Sequence, residues 1–265
     1  EKLLIKLSEE DFLNRETKSN YYRSHPFSQS RLDLLKRYKE GLLNTYTETK
    51  HLMIEDKLIS LKYINNKIRS YNSDPFKTIK NKITKSDDLS RYSLIIAHLK
   101  SGNYDLATHG VKLLIKDNKN YPFYYELAGD IFFSKGDFDL SIENYKKALK
   151  ILKNNYDLSN TLIKLSLAKS LLKKNDIVNI KEAISLLEDL ILIESNWSNL
   201  WRLIAQGYGK IGKIGVTYIA LAEESIIKRD FKKAKKYVDI ALKDPTLPIN
   251  YRLRGNDITT RIKNK

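Results

Sequence analysis

The chain of 265 residues has no cysteine, a single methionine, two tryptophans and five prolines. Without thiols there can be no disulfides, thiolate nucleophiles or thiolate metal sites. The compartment stays undetermined, because exported proteins also dispense with cysteine. No apolar run approaches the roughly 20 residues that a membrane-spanning helix requires. No secretory leader is present either. The chain opens on Glu1, and the expectation is a mature or trimmed product whose targeting segment or preceding domain lies outside the sequence.

Histidine is scarce as well, with four residues: His25, His51, His98 and His109. A zinc hydrolase needs two histidines one helical turn apart around a glutamate, as in HExxH, and the sequence has no such arrangement. His51 and Glu55 stand at i and i+4, a spacing read as a surface pair on an amphipathic helix. His98 is read as a packing residue with a polar tip, and His109 as facing solvent or a neighbouring helix. Phosphate-cradling GxGxxG and GxxxxGK[ST] loops are missing, and so is the GxSxG elbow of serine hydrolases. The acidic pairs Asp87-Asp88 and Glu223-Glu224 read as helix caps and solvated faces. These residues imply binding, with no catalytic set and no cofactor within the chain.

Charge is abundant and one-sided: 48 basic against 32 acidic residues give a formal +16. Such an excess steers a protein toward nucleic acid or anionic lipid. The lysines, however, are spread through KYINNK, KNKITK, NYKKALK and KKAKKY alike, with no arginine-rich tract or glycine-aromatic RNA motif. The reading is a lysine-rich solvated surface without a specific nucleic-acid partner. Peripheral membrane contact is left open.

Three stretches follow one another. In residues 1–27, Leu3, Leu4, Leu7 and Phe12 have helical spacing, and a polar RETKSNYY leads into YRSHPF, where Pro26 restrains the loop that carries His25. That restraint suits either a structural turn or a side chain presented to another domain. Residues 28–84 read as long paired linker helices, one with Leu32, Leu35 and Tyr38, the next running from His51 to Ile68 and stopping near Asn72-Ser73-Asp74-Pro75.

Residues 85–248 repeat. SGNYDLA from Ser101 and KGDFDLS from Lys135 set Gly102 and Gly136, Tyr104 and Phe138, and Ala107 and Ser141 each 34 residues apart, the period of a helix-turn-helix solenoid. In YYELAGDIFFSKGDFDLSIENYKKALKI, Gly129 lets two helices approach, Phe132 and Phe138 fill the gap, Gly136 makes the turn, and Tyr145 and Ala148 pack the second helix. A degenerate unit follows with Ala168, a lengthened turn after Asn175, then Ala183, Leu187 and Leu190. Trp201, Ala205 and Tyr208 mark another first helix, with Trp201 read as core. Ala222, Phe231, Ala234, Val238 and Ala241 face inward in two helices joined at Lys228 to Asp230. Residues 249–265 read as a short cap with a frayed basic tail. The fold class is therefore all-α, a tetratricopeptide-like solenoid preceded by linker helices. Such arrays share one core between neighbours and offer a concave surface to proteins or peptides.

The order of these features resembles the C-terminal, repeat-containing portion of bacterial M48-family zinc metalloproteases of the alphaproteobacterial type. The resemblance rests on Tyr22, Arg23, Ser24, His25, Pro26 and Arg31 in NYYRSHPFSQSRLDLLKRY, on HLMIEDKLISLKYI, and on PFYYELAGDIFFSKGDF, WRLIAQGYGKIG and ALAEESIIKRDFKKA. By that resemblance, residues 1–27 are the tail of a protease domain, and the zinc and its HExxH helix lie in that domain rather than in this chain. His25, Pro26 and Arg31 would form a loop near the cleft, with His25 a possible accessory zinc ligand. The repeats would pack on the protease domain and present substrate or envelope partners in the periplasm, in outer-membrane quality control. A stand-alone tetratricopeptide adaptor is the alternative, and a basic RNA-binding solenoid is a third reading.

Overall fold

The computed structural model describes residues 62–81, 87–155 and 160–263, and every described element is helical. His25, Pro26 and Arg31, and most of the expected linker, lie outside these residues. The chain divides into two compact units, residues 1–65 and 66–265, and the second holds all that follows except the first four residues of α1. The elements are α1 (62–72), α2 (Pro75–Lys80), α3 (Asp88–Lys100), α4 (Tyr104–Asp117), α5 (Pro122–Lys135) and α6 (Phe138–Asn155). Beyond them come α7 (Thr161–Lys173), α8 (Ile177–Ile193), α9 (Ser198–Lys210), α10 (Ile214–Ile227), α11 (Phe231–Ala241) and α12 (Ile249–Lys263). None of these helices is long and apolar enough to cross a membrane.

Local chemistry sets the helix starts. Asp74, Asp87, Asp176 and Asp230 each stand just ahead of a helix and accept hydrogen bonds from first-turn backbone N–H groups, which have no intrahelical partner. Pro75 and Pro122 open α2 and α5, where their missing N–H costs nothing.

Three of the turns between neighbouring helices share a single device. Gly102, Gly136 and Gly212 hold φ at 76°, 85° and 72°. In each, the N–H of the following residue reaches a carbonyl five positions back: Asn103 to His98, Asp137 to Phe132, and Lys213 to Tyr208. This is the left-handed helix stop that glycine makes without steric cost. The turn between α10 and α11 has the same bond, Asp230 to Ser225, but Arg229 occupies the left-handed position at φ 61°. The lengthened turn expected after Asn175 is not there. Only Lys174 to Asp176 separate α7 from α8, as many residues as separate α3 from α4, because Asp176 caps α8 and starts it at Ile177.

Helices α3 and α5 start 34 residues apart, at 88 and 122, and so do α4 and α6, at 104 and 138. From α2 onward each helix packs on the next, and α3, α5, α7 and α9 also touch in succession, forming one layer of an α-solenoid; α4, α6, α8 and α10 alternate with them. After α9 the phase changes, since the next such contact joins α10 to α12. Helix α10 is thus the second member of the pair with α9 and the first member of the pair with α11. A helix in both roles must be apolar on nearly every side. Val216, Ile219, Ala220, Ala222 and Ile226 are all buried and distribute among three separate core clusters. One of these clusters runs from Tyr125 to Ala220 through α5 to α10. The final segment, expected as a short cap with a frayed tail, is a 15-residue helix whose Ile258 is fully buried against α10 and α11.

Candidate functional site

Most of the residues singled out in the sequence are packing residues of this array. Ala107, Ala148, Ala222 and Ala234 are fully buried, as is Tyr145, and Ala205 and Phe132 are nearly so. A Cβ on Gly129 would sit 2.6 Å from Cε1 of Tyr145, so α5 and α6 approach through the absence of a side chain. Phe138 and Phe231 are half-buried, and Phe138 meets Phe133 edge-on, with ring centroids 5.7 Å apart. Tyr104 opens α4 half-buried. Trp201 is 4% exposed, donates from Nε1 to the Ser195 carbonyl at 2.9 Å, and lies under the Arg254 guanidinium at 4.8 Å. The Tyr208 hydroxyl donates to Glu188 Oε1 at 2.7 Å, which also accepts from Tyr251 of α12 at 2.6 Å.

The two histidines within the described residues offer no shared chemistry. His109 is exposed on α4. His98 is half-buried, its Nδ1 has no hydrogen-bond partner among the described residues, and burial lowers its pKa and keeps the ring neutral. No metal-holding group of three or more His, Asp or Glu side chains occurs among the described residues.

A cavity of about 420 Å³ opens where four helices of the first repeats meet α1. Tyr71 of α1, Leu99 and Lys100 of α3, Asp130, Phe133 and Ser134 of α5, Tyr145 of α6, and Ser166 and Lys169 of α7 line it. Asp130 is its only carboxylate. Its Oδ1 accepts from the Tyr145 hydroxyl at 2.6 Å and its Oδ2 from the Tyr71 hydroxyl at 3.2 Å. Burial pushes the Asp130 carboxyl above the usual range, against the pull of Lys67, the two phenols and Lys169. The same burial raises both phenols, with Asp130 adding to the effect.

One turn earlier on α5, Glu126 is buried and pairs with Lys67 Nζ of α1 at 2.7 Å. Burial also lifts this carboxyl, and the single lysine does not cancel it. The helix α1 meets the first repeat through polar groups. Asn66 donates to the Leu89 carbonyl, Ser70 bonds Ser93, and Lys100 Nζ donates to the carbonyls of Tyr71 and Ser73, both at 2.6 Å. Lys169 is half-buried on the cavity lining, and its charge acts on Asp130.

At the other end of the array lies a second cluster. Glu223 and Glu224, expected as solvated or capping, are 8% and 4% exposed on α10. The reason is largely nonlocal: three of the four cations that meet them come from α9 and α12. Arg202 of α9 and Lys228 contact Glu224 at 2.8 and 2.6 Å, while Arg254 and Arg261 of α12 reach Glu223 at 3.1 and 3.5 Å. Burial alone would raise Glu224, but the hydrogen bonds from Arg202 and Lys228 outweigh it and hold the carboxyl below its ordinary value. Asp87 does cap α3, and Asp88 accepts from the Tyr124 hydroxyl at 3.1 Å.

The fold and this lined cavity define an α-solenoid of tetratricopeptide-like helix pairs. No protein-family model matches the chain, and no curated protein matches it. Among solved structures, the chain is similar to the crystal structure of MamA at a TM-score of 0.48 and 16% identity, over 65% of this chain and 98% of that one. The fold assignment rests on the helix pairing and turn geometry above.

Proposed function

We propose that this chain is a noncatalytic protein-binding repeat module, with the face formed by α1, α3, α5 and α7 as its recognition surface. The cavity lined by successive repeats carries this reading. It combines an apolar and aromatic wall (Leu99, Phe133, Tyr145) with a few converging polar groups, the composition of a side-chain recognition pocket. A peptide library displayed on phage and selected on the whole chain provides the test. Enrichment of sequences whose binding falls at least about tenfold in Phe133→Ala, which lines the cavity half-buried, supports the reading. No enrichment, or binding indifferent to that change, would remove it.

A finer setting follows from the sequence resemblance alone: the module would belong to a periplasmic M48-type zinc endopeptidase, with the zinc held outside this chain and the repeats docking on the protease domain. Co-expression with an M48 protease domain tests that docking, and separate elution of the two on size exclusion would count against it.

A further inference from the structure

We propose that the exposed face of α11, with the turn that follows it, docks on an anionic lipid bilayer. The surface is separate from the face formed by α1, α3, α5 and α7, since α11 packs on α10 and α12. The positive excess of the chain is uneven. Residues 228–243 hold seven basic against two acidic residues, a density several-fold above that of +16 over 265 residues. The fold turns this run into a surface. Ala234, Val238 and Ala241 are buried against α10 and α12, so the helical period turns Lys232, Lys233, Lys235 and Lys236 outward, and all four are exposed. Of the two carboxylates, Asp230 is committed to the cap of α11. Elsewhere lysines meet acidic partners on other helices, as in Lys135–Asp105, Lys146–Glu182 and Lys174–Asp139. A run this rich in cations is complemented by a surface dense in negative charge.

Aliphatic side chains decide which surface. Ile240 is exposed four residues after Lys236 and seven after Lys233, on one stripe of α11. The turn beyond it is held in place: Asp244 accepts from the Gly215 N–H at 2.9 Å, and Arg252 donates to the carbonyls of Leu242 and Asp244. It joins the end of α11 to the start of α12, where Ile249 and Leu253 are 72% and 59% exposed. The rings nearby are engaged, since Tyr218 and Tyr237 are half-buried and pack together with centroids 5.7 Å apart. A nucleic-acid strand is gripped by aromatics that stack on its bases. A bilayer takes cations at its headgroups and aliphatic side chains just beneath them.

The test pellets the whole chain with vesicles of phosphatidylcholine, alone or with about one third phosphatidylserine, at about 0.15 M salt. Binding to the serine-containing vesicles should be at least about tenfold tighter. Joint replacement of Lys232, Lys233, Lys235 and Lys236 by glutamine should remove that preference, and replacement of the four by arginine should keep it. The same charge taken from Lys112, Lys116, Lys119 and Lys150, all exposed elsewhere, should change binding less than about threefold. Ile249→Ser with Leu253→Ser should weaken binding at least about threefold and leave the preference for serine-containing vesicles. Equal binding to both vesicles, no pelleting, an equal loss from the two lysine sets, or indifference to the aliphatic changes overturns the proposal. So does tighter binding of a labelled single-stranded RNA that depends on the same four lysines, which would assign the surface to nucleic acid.

Discussion

The helix pairs α5–α6 and α10–α11 share a turn geometry and each buries acidic side chains on its first helix, yet the surroundings of those carboxylates are opposite. On α5, Glu126 has one lysine, Asp130 has two phenols, and burial wins, so both carboxyls rise above their ordinary range. On α10, two glutamates meet four cations, three from α9 and α12 and Lys228 just past the end of α10, and the pairing of Glu224 wins. The α10 pair ties α9 and α12 to α10 through matched charges, beside the apolar contacts these helices already share. The α5 pair keeps electrostatic stress beside an open cavity lined by two lysines, Lys100 and Lys169. Perturbed carboxyls in a cleft are the pattern expected at binding sites.

The largest effect should come from the α5 side. Replacing Gly129 with valine forces atoms into the Tyr145 ring, displaces the hydroxyl from Asp130, and should cost about 3 kcal/mol. Urea denaturation followed by circular dichroism measures it, and loss below about 1 kcal/mol would mean that α5 and α6 separate easily.

Next comes Glu224→Gln, which should cost about 1–2 kcal/mol, less than a fully buried pair because Arg202 and Lys228 remain about half exposed. The sign with pH is definite. A depressed folded pKa gives stability that is present above the unfolded value and lost as pH falls through the folded one. The gap between wild type and variant should therefore close in acid. Asp130→Asn should do the reverse. Its raised folded pKa means that stability is fully present below the unfolded value and lost as pH rises through the folded one. The variant should equal or trail wild type in acid and exceed it by about 1 kcal/mol at neutral pH. If both variants shift in the same direction at neutral pH, the contrast between the two carboxylate pairs collapses.

How much of this could be read from residues alone follows from distance along the chain. The 34-residue spacing of Gly102 and Gly136 is local and periodic, and α3–α4 and α5–α6 follow it. Glu223 and Glu224 looked solvated because Arg254 and Arg261, which meet Glu223, and Arg202, which meets Glu224, lie on other helices, beyond any helical spacing. The dual role of α10 was hidden for a related reason, because its sequence fits both the pair before it and the pair after it. The cavity was invisible in the sequence: Tyr71, Asp130 and Lys169 come from three helices and belong to no motif. The turn after Asn175 was misjudged because the unit lacks the glycine that marks the others, while Asp176 supplies a cap that is easy to overlook.

The smallest expected effect concerns the turns. Gly136 and Arg229 hold equivalent left-handed positions at φ 85° and 61°, but only glycine does so without a Cβ clash. Arg229→Gly should relieve that strain, offset partly by the greater freedom glycine gives the unfolded chain, for a net gain of about 0.5 kcal/mol. Gly136→Ala should lose about 1 kcal/mol at the matching site, although nothing stands within 4 Å of the added Cβ. Because the space there is open, a loss at Gly136 isolates the backbone term from packing. An increase in midpoint for one and a decrease for the other, in the same urea titration, would show that the two turns are equivalent in energy as well as in geometry. A loss at both would mean that the Arg229 side chain stabilises the folded turn through contacts that outweigh its strain.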